Sequence, residues 1–254
     1  MILAIDVGNT NIVLGFLDGE ELVNECRLST EVNDSAEEYA IKLNSIFEIC
    51  KIEPSQIEGS VLSSVVPPLN RTISKAVKLL TGKKPIVIGP GVKTGLNIKT
   101  NNPAELGADM VAGAVAGIAK YPCPQIIFDL GTATTASVID KNGCFIGCSI
   151  QCGVKTALNA LSAGTAQLPQ IEIVAPKSSI GTNTVDCMRS GTVYGTAAMI
   201  DGLVKRFEKE LGSDATVIIT GGLGGVIAQH CETDVIVDRN LVIDGLRMIY
   251  EKNI

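Results

Sequence analysis

The chain opens on an apolar run, Ile2 to Ile5, that meets the string Asp6-Val7-Gly8-Asn9-Thr10 and then resumes as apolar sequence to Phe16. Runs of that length, interrupted by glycine and asparagine, predict a strand, a tight turn and a second strand, with a further turn at Asp18-Gly19. The pattern returns almost half a chain length later. Ile126-Ile127-Phe128 leads into Asp129-Leu130-Gly131-Thr132-Ala133-Thr134, and a second strand closes at Lys141-Asn142-Gly143 and Phe145. A repeat on this scale predicts a duplicated α/β chain. Pro122 and Pro124 punctuate the segment Lys120 to Pro124, so residues 1–120 are expected as one domain and 121–254 as the other.

Between the strand pairs the period changes. Ser35 and Glu38 form a capping-box pattern, and Tyr39, Ile41, Leu43, Ile46, Phe47 and Cys50 follow at mostly helical spacing. Val61 to Val66 reads as a short strand stopped by Pro67-Pro68, after which Leu69, Ile73, Val77 and Leu80 mark a helix ended by Gly82. Leu106, Met110, Ala114 and Ile118 share one face of a further helix. Asp109 falls off that face, among Ala112, Gly113 and Ala116. Ala215 to Ile219 is a strand stopped by Thr220-Gly221-Gly222. Strands alternating with helices predict sheets covered by helices, with functional groups at strand ends and turns.

Composition narrows the function. With 46% hydrophobic and 19% charged residues the chain can bury a core, and its net charge of -6 gives it no basic field for nucleic acid or an anionic membrane surface. Met110 to Ala119 is the longest uncharged apolar stretch and is too short to span a bilayer. Met1 to Ile5 runs straight into Asp6 without a basic flank or cleavage pattern, so a cytoplasmic protein with eight reduced thiols is expected. Cys144, Cys148 and Cys152 match no common zinc or iron-sulfur spacing, and buried small thiols are the expected reading. A single histidine, His230, closes off serine triads, HExxH zinc sites and two-histidine metal sites. No GxxxxGK[ST] run is present, and Gly222-Leu223-Gly224-Gly225 lacks the last glycine of a dinucleotide fingerprint.

Two sets of residues could carry chemistry. An aspartate at a strand end followed by glycine, as at Asp6-Val7-Gly8, sets a carboxylate beside backbone amides that a glycine turn lets approach a phosphate, with magnesium held by Asp6 through water. The same residues also describe an ordinary hairpin turn, but a turn has no reason to recur so closely in the second half. Asp109 is the only charged residue between Leu106 and Ala119. Small neighbours leave room for a substrate whose hydroxyl proton it could accept; a helix-start residue favoured by the dipole is the equal alternative.

Taken together, several ordered motifs resemble the type III pantothenate kinase family. They are Asp6 to Thr10, Asn102-Pro103 with Gly107-Ala108-Asp109, Asp129 to Thr134, Thr165-Ala166-Gln167-Leu168-Pro169, Ile180-Gly181 with Asn183-Thr184, Thr220-Gly221-Gly222, and the ending from Gly245-Leu246 to Asn253. The resemblance runs over essentially the whole chain. It implies two duplicated actin-like (ribonuclease H-like) domains with a nucleotide cleft between them, as in acetate and sugar kinases, Hsp70 and actin. It further implies ATP-dependent phosphorylation of pantothenate in coenzyme A biosynthesis, by a homodimer. Carried across residue by residue, Asp6, Val7, Gly8, Asn9, Thr10, Asn11, Ile12 and Val13 would bind ATP phosphates, with Thr132 also contacting ATP. Asp109 would be the base, and Asp129 would hold potassium or ammonium. Gly107, Ala108, Asp109 and Met110 would line the pantothenate site, with Thr184 reaching it from the dimer partner. Phosphoryl transfer needs positioning and charge neutralisation and no histidine, which this composition permits. The sequence departs from the family pattern at Met110, where the family carries arginine, and at Gly147-Cys148 and Cys152-Gly153, where it typically shows Gly-Gly and Pro-Gly. A kinase-like binding or regulatory protein and a kinase of another small alcohol are the alternatives that Met110 leaves open.

Overall fold

The structure, a computed structural model, describes residues Met1–Ile254. Three antiparallel strands open it, β1 (Ile2–Val7), β2 (Asn11–Asp18) and β3 (Glu21–Ser29). Helix α1 (Ala36–Cys50) follows, then β4 (Gly59–Ser64) parallel to β1, α2 (Pro67–Thr81) and β5 (Ile86–Val87), giving the sheet order β3-β2-β1-β4-β5. The start of α1 is fixed by the capping box, in which the Glu38 amide donates to Ser35 Oγ at 3.2 Å and the Ser35 amide to Glu38 Oε2 at 2.7 Å. Pro67 and Pro68 begin α2, where a missing amide costs nothing, and Gly82 ends it at φ 74°.

Alternation along β1 sends Leu3, Ile5 and Val7 into a core with Ile12, Leu14 and Phe16 of β2, Tyr39, Leu43 and Phe47 of α1, and Leu69, Ile73 and Val77 of α2. Phe16 and Phe47 meet edge to face at 5.2 Å. Asp6 therefore lies on the opposite face of the sheet.

A short strand, β6 (Asn97–Ile98), precedes α3 (Ala108–Lys120). The second meander is β7 (Gln125–Leu130), β8 (Ala133–Ile139) and β9 (Cys144–Cys152), followed by α4 (Val154–Ala163) and the long α5 (Thr184–Leu211). Then come β10 (Thr216–Thr220), α6 (Gly224–Ile227) and β11 (Ile236–Val237). The order β9-β8-β7-β10-β11, with β7 parallel to β10 and β10 to β11, repeats that of the first sheet, and β6 adds a parallel edge to β9. Ile126, Phe128 and Leu130 face Val193, Ala197, Ile200 and Val204 of α5, so Asp129 again points away from the core helix. The echo in the sequence is thus an echo in strand order. No helix is long and apolar enough to cross a membrane.

The chain ends in α7 (Leu241–Glu251), and its position changes the expected division at residue 120. One compact unit comprises Met1–Leu96, Asn101–Ala116 and Leu241–Ile254; the other comprises Asn97–Thr100 and Gly117–Asn240. The physical reason is the buried stripe of α7, Leu241, Leu246 and Ile249, which packs on β1 and β4. Asn97 and Ile98 likewise pair with Cys144 and Phe145 of the second unit. Two further expectations are corrected. Helix α3 is buried on all sides from Val111 to Gly117, so it has no single apolar stripe, and Leu106, Met110 and Ile118 are only half-buried. Of the three cysteines spaced by four, Cys144 is buried, whereas Cys148 and Cys152 are exposed with Ile146 and Ile150 on the outward row of β9.

Helix α7 approaches its neighbours through glycines. A methyl group on Gly59 would fall 1.7 Å from the Tyr250 hydroxyl, and one on Gly245 would fall 1.9 Å from the Ala112 carbonyl oxygen. The second neighbour is backbone and cannot swing away. Gly245→Ala is therefore expected to lower the stability of the protein by about 2 kcal/mol or more, seen as a lower urea midpoint by circular dichroism.

Candidate active site

In the first unit the turn between β1 and β2 closes with the Gly8 amide donating to the Asn11 carbonyl at 3.0 Å. Thr30, just beyond β3, holds this turn from behind. Its Oγ1 donates to the Gly8 carbonyl at 2.7 Å and its amide to the Thr10 carbonyl at 3.0 Å. With those carbonyls occupied, the exposed surface of the turn is made by Asn9 and Thr10. Nothing in the sequence pattern singles out Thr30, because its role depends on strand pairing.

Asp6, one residue before the end of β1, is in register with Ser63 on β4. Parallel neighbours in register project to the same face, so a carboxylate and a hydroxyl stand side by side. Ser63 is fully buried and its Oγ has no hydrogen-bond partner. Such a group costs stability unless something polar meets it.

The same strand ends lead to Asp109. The Val65 amide donates to the Val7 carbonyl at 3.0 Å, and Val65 Cγ1 lies 3.6 Å from where a side chain on Gly107 would begin. Glycine is needed at 107 for a second reason: a methyl group there would fall 2.4 Å from Asp109 Oδ1. The Asp109 carboxylate folds back on the first turn of α3, accepting the Met110 amide at 2.8 Å. Burial nevertheless pushes its pKa above the ordinary carboxyl value, outweighing the backbone hydrogen bonds that pull it down. The helix-start reading of Asp109 is thus met by its place in the first turn of α3, and the raised pKa is a property of the same side chain.

The second unit rebuilds the turn with one residue fewer. Only Gly131 and Thr132 separate β7 from β8, and the Gly131 amide donates to the Ala133 carbonyl at 3.1 Å. Here the Thr132 carbonyl accepts from the Gly153 amide at 3.1 Å and from Thr156 Oγ1 at 2.9 Å. A methyl group on Gly153 would fall 2.3 Å from the carbonyl oxygens of both Gly131 and Thr132. Gly221 presses on the other side: its φ is +87°, and a methyl group there would fall 2.5 Å from Asp129 Oδ1. Asp129 is in register with Thr220, so the Thr220-Gly221 turn stands beside the aspartate. The motif glycines were legible in sequence, whereas Thr156 was not.

Thr184 lies in the second unit, at the first position of α5 behind the cap Asn183, whose Oδ1 accepts the Asp186 amide at 3.0 Å. It lines a cavity of about 1040 Å³ together with Thr134, Gln151, Cys152, Met188 and Met199. Thr134 Oγ1, like Ser63 Oγ, is a buried hydroxyl without a partner. Gly107 to Met110 belong to the first unit. No group of three or more His, Cys, Asp or Glu side chains could enclose a metal, so a cation at Asp6 or Asp129 would draw most of its ligands from water and phosphate. His230 packs edge-on against Tyr194, with ring centroids 5.1 Å apart.

Comparison with known proteins matches the chain to one family. The type III pantothenate kinase family model matches residues 2–206. Type III pantothenate kinases from an Exiguobacterium species and from Halalkalibacterium halodurans are 48% and 44% identical, each aligned over 100% of this chain and over 99% and 100% of their own length. Among solved structures, a conserved Campylobacter jejuni protein described as a Baf family transcriptional activator is similar with a TM-score of 0.62 at 18% identity, covering 99% of this chain and 98% of its own. The activator of the 2-hydroxyisocaproyl-CoA dehydratase from Clostridium difficile is similar with a TM-score of 0.57 at 13% identity, covering 99% and 96%. The fold is that of the actin-like ATPases and sugar kinases.

The raised carboxyl at Asp109 has a definite sign for stability. A folded-state pKa above the unfolded one means that the folded chain holds the extra proton, so stability falls as the pH rises through that window and stays reduced at neutral pH. Asp109→Asn keeps the acceptor for the Met110 amide and removes the buried charge. Thermal unfolding at pH 7 is expected to shift upward in this variant, with the difference vanishing as the pH drops below the ordinary value of 3.8.

Proposed function

Because the chain belongs to the type III pantothenate kinase family, we propose that it transfers the γ-phosphoryl group of ATP to the primary hydroxyl of pantothenate, yielding 4'-phosphopantothenate at the entry to coenzyme A biosynthesis in the cytoplasm. The observation that carries this reading beyond the family match is the placement of Asp109. It is a half-buried carboxylate whose burial raises its pKa above the ordinary value, joined through Gly107 and Val65 to the strand end that bears Asp6.

In this reading Asp109 takes the proton of the pantothenate hydroxyl as its oxygen attacks the γ-phosphorus and the bridging oxygen leaves with ADP. Asp6 through Val13 receive the phosphates on the turn that Thr30 braces, and Thr132 contacts the nucleotide from the turn that Gly153 and Gly221 crowd into place. Magnesium, held through water at Asp6 with the unspent Ser63 hydroxyl on the same face, would neutralise charge on the phosphates. Potassium or ammonium at Asp129 would separate that carboxylate from phosphate oxygens.

The dimer is supported by an outward row of apolar side chains. Ile146 and Ile150 on β9 and Leu161 on α4 are 39%, 66% and 45% exposed. A second protomer would cover them, with Thr184 of the partner subunit completing the pantothenate site formed by Gly107, Ala108, Asp109 and Met110.

Release of ADP should depend on pantothenate and run faster in potassium than in sodium. Asp109→Asn should cut turnover by about 100- to 10,000-fold with little change in the KM for ATP, since only the proton acceptor is lost. Near-normal turnover in the variant would remove Asp109 from the role.

Met110 makes a separate prediction. A thioether can neither pair with nor donate to the pantothenate carboxylate, so Met110→Arg should tighten pantothenate binding by roughly tenfold or more in calorimetry, the value of a charge-assisted hydrogen bond. Unchanged affinity would mean that residue 110 does not face the carboxylate.

A further inference from the structure

Two cysteines far apart in sequence meet in the first unit. Cys26 is on β3 and Cys50 is the last residue of α1, and their sulfur atoms are 3.3 Å apart. Other thiols contact backbone instead: Cys187 Sγ lies 3.3 Å from the Gly181 carbonyl, and Cys231 Sγ 3.7 Å from that of Ile227.

Both sides of the Cys26–Cys50 contact are fixed by well-defined structure. Cys26 is in register with the buried Leu14 of β2. Cys50 lies one turn beyond Phe47, which the edge-to-face contact with Phe16 anchors on the sheet. Immediately after Cys50 the helix ends at Lys51, whose φ of 56° and ψ of 42° are left-handed, with the Lys51 amide donating to the Glu48 carbonyl and the Ile52 amide to that of Phe47. The sulfur pair therefore joins two anchored elements, and both residues are half-buried at the rim of the core, within reach of a small solute.

We propose that Cys26 and Cys50 are a dithiol site, oxidised by peroxide to a reversible intramolecular disulfide. One thiolate attacks a peroxide oxygen, giving a sulfenic acid and releasing water; the second thiol then displaces the hydroxyl as a second water while the sulfur–sulfur bond forms. Two electrons leave the sulfur pair and reduce one peroxide to two waters. Burial, with Cys50 and Glu25 adding to it, pushes the Cys26 thiol up to about 11, so the first step is slow at neutral pH and the adjacent thiol, once one sulfur is oxidised, directs the product. The bond would close a loop over residues 26–50. That loop contains Thr30, the residue that braces the β1–β2 turn.

The test is peroxide treatment of the full-length protein, blocking of remaining thiols, and peptide mapping by mass spectrometry without reductant. A cross-linked peptide pair carrying Cys26 and Cys50, lighter by about 2 Da than the sum of the two reduced peptides and split by dithiothreitol, is expected. It should disappear in Cys26→Ser and in Cys50→Ser and persist in Cys148→Ser. Recovery of Cys26 and Cys50 as separate thiols or separate oxyacids after treatment, or cross-linking of either to another cysteine instead, would overturn the assignment. The wild-type map decides this whether or not the serine variants fold.

Discussion

A carbonyl oxygen cannot share space with a methyl group, and the second unit is organised around that exclusion. Gly153 and Gly221 come so close to the loop from Asp129 to Thr132 that any side chain at either position would overlap backbone or carboxylate. Their approach fixes the turn, and the turn fixes where Asp129 and Thr132 are presented. The first unit reaches the same end by different means, since there a hydroxyl and an amide of Thr30 occupy the carbonyls of Gly8 and Thr10. Duplication has kept strand order and the position of the aspartate while replacing the brace. What the two halves share is therefore geometry imposed from behind, which leaves the front of each turn exposed.

Three carboxylates sit in two kinds of environment. Asp6 and Asp129 occupy equivalent positions, one residue before a strand end and on the sheet face away from the main core helices. Each suits a cation that is mostly coordinated by water and phosphate. Asp109 has a different origin, a helix start pressed into a crowded surrounding, and there desolvation raises its proton affinity. A carboxylate suited to a cation and one suited to a proton need opposite surroundings, and under the proposed function these three would divide along that line without a histidine.

The parts of this arrangement that depend on local chemistry were legible in the sequence. The aspartate-glycine turns, the Ser35–Glu38 cap and the Pro67 and Gly82 boundaries each encode a backbone preference within a few residues, and each is found. What escaped depends on partners distant in sequence. Thr30 and Thr156 gain their roles only through strands and helices that bring them behind a turn, and Ser63 matters because it is in register with Asp6. The outward row of Cys148 and Cys152 was missed because spacing by four was read without the alternation of β9, which sends both to the exposed face. The smooth stripe expected of α3 failed because a helix buried all round carries no periodic signal.

The return of α7 to the first unit reaches beyond the finished molecule. A ribosome releases β1 to β5 early, yet the helix that covers β1 and β4 with Tyr250 over Gly59 emerges only after the whole second unit. The second unit, apart from β6, is one continuous run and can close before α7 emerges. The nascent first sheet must wait with one face uncovered, so the unit begun before the other is completed after it, and that interval is when its bare strands are most open to other chains.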